Sequence, residues 1–95
     1  MMQYGKNLQR LSDTISRAND MLPGMPVVEM VGDRRILIEN HRGVVQYGTE
    51  EICVKVKFGI VRILGSRMEL VKMTKEQLVI TGIIKSLAVQ RKEEV

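Results

Sequence analysis

Apolar residues recur in this chain with two different periods, and the change falls at Pro23-Gly24. Before it, Tyr4, Leu8, Leu11, Ile15, Ala18 and Leu22 stand four, three, four, three and four residues apart, which aligns them along one stripe of an α-helix. Lys6, Arg10, Asp13, Arg17 and Asp20 carry mixed charge on the other faces. A membrane-surface helix would have a polar face dominated by Lys and Arg, so the mixture argues against one. Asn7 or Ser12 can cap the start, and Pro23-Gly24 ends the helix. The stripe that includes Tyr4, Leu8, Leu11 and Ile15 can pack on the chain's own sheet, or on a partner as a short coiled coil; its spacing leaves both open.

From Pro26 onward the period is two. VVEMVG, RRILIEN, GVVQYG, EICVKVKFG, IVRILG, MELVKM and QLVITGIIKSLAV are short, rich in Val and Ile, and separated by Gly, Asp, Asn or charged residues. A parallel crossover needs a dozen residues or more, so such short connections predict antiparallel neighbours. Alternation assigns Ile36 and Ile38, then Ile52, Val54 and Val56, then Val61 and Ile63, Met68 and Leu70, and Leu78, Ile80 and Ile84 to one apolar face. The last segment cannot keep one phase, because Leu87 and Val89 have the opposite parity to Ile84. A β-bulge near Lys85-Ser86 would return them to the core, and Gly82 suits a bend in the same strand. The glycines show no fixed repeat, which excludes a β-solenoid. The expected fold is mainly β: six or seven short antiparallel strands in a curled sheet or small sandwich, with one N-terminal amphipathic α-helix. Residues 1–24 form the helix and turn, 25–89 the β domain, and 90–95 a charged, frayed C-terminal tail.

Length and composition add three constraints. A chain of 95 residues makes one domain with a thin core. Burying only about 60–65% of its unfolded surface, such a domain gains stability by association, so a homo-oligomer is expected. One Cys53 and one His41 build neither a disulfide nor a zinc site within the chain, and no metal or cofactor is expected. No apolar run reaches the roughly 18–20 residues of a membrane span, and no secretory signal pattern opens the chain, so a cytoplasmic location is expected. The net charge of +4 is uneven, with six Lys/Arg against five Asp/Glu in residues 1–48 and nine against six in 49–95. An anionic partner is therefore admissible, either a membrane surface or a nucleic acid. Only Tyr4, Tyr47 and Phe58 could stack on bases, which disfavours nucleic acid.

The stretch IENHRGVVQYG, Ile38 to Gly48, holds the single histidine between an acid, an amide and an arginine. An acid–base centre would pair His41 with Glu39, two residues earlier on the same strand face. No glycine-flanked serine, phosphate-cradling loop or second histidine accompanies the pair. A turn explains more of the residues. Asn40 can bond its own backbone, Gly43 can take positive φ, and Val44, Val45 and Tyr47 resume extended chain. A hairpin around Asn40–Gly43 is expected, with His41 and Arg42 at an exposed tip that can touch a partner.

The IENHRG run, followed by Tyr47, GTEEI (Gly48 to Ile52), FGIVRILG (Phe58 to Gly65), Leu70 and ITGII (Ile80 to Ile84), resembles the YabP/YqfC family of sporulation proteins. MVG at Met30 to Gly32 is similar to the YqfC branch in particular, and the resemblance spans Pro26 to Val89. It implies a protein of endospore-forming bacteria, made during sporulation in the mother-cell compartment. It implies no enzymatic activity, cofactor or catalytic residue. Cys53, Leu64, Val71 and Ile83 depart from the family pattern, standing at outward positions where charged residues are usual. They form either a face covered by the rest of the chain or an exposed patch for a subunit contact. The expected function is non-enzymatic: protein–protein contact, with itself or another sporulation protein, oriented by the basic stripe Lys55, Lys57 and Arg62. A basic-surface binder is the alternative, and a hydrolase or transferase centred on Glu39 and His41 the remotest reading.

Overall fold

The computed structural model describes residues 23–92. The expected N-terminal helix, with Tyr4, Leu8, Leu11 and Ile15, falls outside the described residues. The described residues form six strands: β1 (Val27–Val31), β2 (Arg35–Glu39), β3 (Val44–Gln46), β4 (Glu51–Val56), β5 (Gly59–Met73) and β6 (Gln77–Arg91). They form one antiparallel sheet in the order β1-β2-β6-β5-β4-β3, open at β1 and β3.

Two expected strands, IVRILG and MELVKM, are one. β5 continues through Gly65, whose missing side chain is needed because β6 passes against it: a Cβ there would run into the carbonyl of Ile83. β5 and β6 thus make a hairpin of two 15-residue strands whose halves serve different neighbours. β2 pairs with the first part of β6, Gln77–Thr81, and β4 with the first part of β5, Gly59–Leu64. Three irregularities bend the hairpin between them. Lys85 is the extra residue between the Ile84–Gly65 and Ser86–Leu64 pairs, at the position the parity change predicts. Arg67 and Met68 together face Gly82, and Val71 is extra between Leu70 and Lys72. Arg67 is left-handed at φ 53° and Gly82 lies at φ 145°, where a Cβ would stand 2.7 Å from the Met68 Cα.

The bends fold the inner face onto itself. Ile36, Ile38, Leu78 and Ile80 from one half meet Ile52, Val54, Val56, Val61 and Ile63 from the other, with Met68 and Ile84 between. Every inward residue assigned by alternation is in this core except Leu70, which is half-buried beside it with Leu87. Val89 pairs with Val61 but stays half-exposed. Pairing in β6 continues through Gln90 and Arg91 into the segment expected to be a tail.

Candidate functional site

The IENHRG run is not a hairpin. β2 and β3 lie in different halves of the sheet, so Asn40–Gly43 crosses from one half to the other. The Asn40 N–H donates to the Glu76 carbonyl at 2.6 Å, in the β5–β6 turn. Two residues on, the Arg42 N–H donates to the Lys55 carbonyl at 2.7 Å and the Lys55 N–H returns to Gly43 at 2.8 Å, on β4. Asn40 takes the left-handed φ of 64°, which asparagine tolerates better than most residues, and its Nδ2 donates to the Met25 carbonyl at 2.9 Å. Gly43 takes φ 115°.

His41 is the centre of this clasp and not an exposed tip. Only 8% exposed, it receives the Gly43 N–H on Nδ1 at 3.0 Å and holds the Thr74 carbonyl from Nε2 at 2.9 Å. A carbonyl only accepts, so the proton sits on Nε2, and this single tautomer satisfies both ring nitrogens. Glu39 turns elsewhere, accepting from Gln77 Nε2 at 3.1 Å. The Glu39–His41 pair that acid–base chemistry would need is not formed, and both of the histidine's nitrogens are committed to backbone. The sequence does not disclose this use, because Thr74 stands 33 residues away.

The four outward apolar residues are dispersed. Cys53 is buried at 8% exposure and Leu64 is half-buried, both in the β4–β5 half, while Val71 and Ile83 are exposed at 52% and 36% near the bends. Of the four, only Val71 and Ile83 are exposed. Cys53 is covered within a polar group in which Glu51 accepts from Arg62 Nε at 2.6 Å and from Gln46 Nε2 at 3.2 Å, and its Sγ lies 3.6 Å from Glu51 Oε2. Burial and then the Glu51 carboxylate push the Cys53 thiol above its ordinary pKa, against the smaller opposite pull of Arg62.

The basic stripe is also redistributed. Arg62 is paired with Glu51, whereas Lys55 and Lys57 join Arg42, Arg91 and Lys92 around an open cleft of about 550 Å³ where the β4–β5 turn meets the end of β6. Arg91 and Lys92 belong to this cleft and not to a frayed tail; no local pattern in the sequence reveals that β6 brings them beside β4. Arg91 stacks over the Phe58 ring at 5.0 Å, the Lys92 N–H donates to the Phe58 carbonyl at 2.8 Å, and Lys57 Nζ reaches the Pro23 carbonyl at 3.4 Å. Among the described residues no group of three or more His, Cys, Asp and Glu side chains is placed to hold a metal ion.

Comparison with known proteins identifies the lineage. The sequence model of the YabP family matches residues 25–95, a span that takes in the whole β domain. The chain belongs to the YabP family. It is similar to an uncharacterized protein of Bacillus subtilis (strain 168), YqfC, with 29% identity over 84 residues, covering 84% of this chain and 90% of that one. No solved structure matches. The family membership agrees with the resemblance carried by IENHRG, GTEEI and ITGII, and the clasp gives the IENHRG run a structural purpose in this chain. Among the described residues, no helix is long and apolar enough to cross a membrane.

Proposed function

We propose that this YabP-family chain is a non-enzymatic protein of endospore development that works by protein–protein contact and associates with itself through the β1 edge. The observation that carries the proposal is the difference between the two edges of the sheet. β3 is three residues long and its pairing with β4 is irregular, two features that discourage a further strand. β1 has neither. It pairs with β2 in unbroken register over five residues, contains no Pro or Lys, and leaves Met30 and Val31 exposed at 45% and 62%. Glu29 is its only charge. An edge so little protected by the described residues can accept another strand, whose backbone supplies affinity and whose alternate side chains supply specificity. The sporulation setting and the mother-cell location rest on the resemblance to the YabP/YqfC family.

The test is the mass of the full chain in solution by light scattering, at low and high salt. A dimer or larger species that survives high salt is expected, and it should become monomeric in the double variant Met30→Lys, Val31→Lys. A monomer at every concentration, or an assembly unchanged by the double variant, would contradict the use of this edge.

A further inference from the structure

The cleft at the β4–β5 turn has a charge pattern that self-association at β1 does not use. Among the described residues five cations line it, Arg42, Lys55, Lys57, Arg91 and Lys92, and no carboxylate does. They are drawn from three places in the sequence and held together by backbone bonds: Arg42 to Lys55, and Lys92 to Phe58 in the turn that carries Lys57. Gathering like charges in one small volume opposes folding through self-repulsion. The two ion pairs among the described residues lie elsewhere, at Asp33–Arg34 and Glu51–Arg62. Glu93 and Glu94 come next in sequence, and setting two carboxylates against five cations still leaves three positive charges.

We infer that this cleft is a binding site for a phosphate group, presented by a phosphorylated small molecule or by a phospholipid headgroup. Its volume is in the range of small-ligand sites, which run from about 300 to 1,000 Å³. Several cations converging on so small a space match a compact, multiply charged anion; carboxylates strung along a peptide would spread their charge over several residues' length. A phosphate monoester carries about −1.5 to −2 near neutral pH and offers three acceptor oxygens. Arg42 and Arg91 supply planar donor forks that suit those oxygens, and the lysines add point charges. Arg91 is already positioned by the Phe58 ring, which lowers the cost of ordering it on a ligand. Because that ring is covered by Arg91 and no aromatic side chain among the described residues lines the cleft, the described residues offer a nucleobase no stacking platform there.

The test uses the full chain and two probes. Tripolyphosphate is titrated calorimetrically, and vesicles of phosphatidylcholine with and without phosphatidic acid are assayed by co-sedimentation. The variant Lys55→Gln, Lys92→Gln removes two cleft charges. Lys72→Gln, Lys75→Gln removes two exposed charges outside the cleft and lowers the net charge equally. The site predicts that the cleft variant weakens binding by about tenfold or more while the control stays within about twofold. Sedimentation only with phosphatidic acid vesicles, reversed by the same variant, assigns the phosphate to a membrane surface; binding of tripolyphosphate alone assigns it to a soluble ligand. Failure of the wild-type chain to bind either probe, or equal weakening in both variants, would overturn the inference.

Discussion

At the scale of single residues, His41 and Cys53 show how chemistry-bearing side chains can be consumed by structure. His41 spans two backbone segments, and replacing it with alanine takes its ring from the part-buried bonds to the Thr74 carbonyl and the Gly43 N–H. A hydrogen bond contributes about 0.5–1.5 kcal/mol net, so the loss of two in His41→Ala should lower unfolding stability by about 1–3 kcal/mol in a urea titration. An unchanged midpoint would show that the clasp contributes little. Cys53 has its thiol pKa raised by burial and by Glu51, and both effects favour the protonated form. Stability linked to this thiol is therefore complete below the unfolded pKa and declines as pH rises toward the folded one. In the folded chain, alkylation of Cys53 at mildly alkaline pH should be markedly slower than in urea, as mass spectrometry would register; equal rates would contradict the burial of Sγ.

At the scale of elements, the long β5–β6 hairpin decides the fold because its bends let one sheet cover its own core. Gly82 is where this is most exposed to test: a Cβ would meet the Met68 Cα at 2.7 Å and the Arg67 carbonyl at 2.8 Å, on a φ of 145° that alanine resists. Gly82→Ala should cost about 2 kcal/mol or more, read as a fall in melting temperature, whereas Gly32→Ala meets nothing within 4 Å and carries only the strain of its φ of 53°. The inward set from Ile36 to Ile84 and the bulge at Lys85 were legible in the sequence, because side-chain parity is a local property that burial enforces. The antiparallel pairing of consecutive strands was legible as well, but the pairing of β2 with β6 was not. Asn40 and Gly43 signal a turn equally well whether the next strand returns beside the last or crosses to the other half, and Gly65 reads as a break although it serves close packing. The positions of Arg91 and Lys92 in the cleft depend on the full length of the β5–β6 hairpin, which a break read at Gly65 hides. Val71 and Ile83 are exposed as their parity predicts; Cys53 is not, because Glu51, Arg62 and Gln46 close over it.

At the scale of the whole molecule, two surfaces separate. The open edge belongs to the half built on β1 and β2, and the cationic cleft to the half built on β3 and β4. Substitutions at sites with no shared partners act additively within about 0.5 kcal/mol. Lys55→Gln with Lys92→Gln should accordingly leave the solution mass unchanged, and Met30→Lys with Val31→Lys should leave tripolyphosphate binding unchanged. Loss of one activity with the other's variant would mean that the two halves form one surface.

The edge can be observed directly by hydrogen exchange of the full chain, followed by mass spectrometry across a range of protein concentrations. Outward amides of β1 have no partner among the described residues, so they should exchange rapidly in dilute solution and gain protection as concentration rises, while β3 stays unchanged. Protection of β1 that does not depend on concentration, or that appears at β3 instead, would contradict an assembly built through the β1 edge.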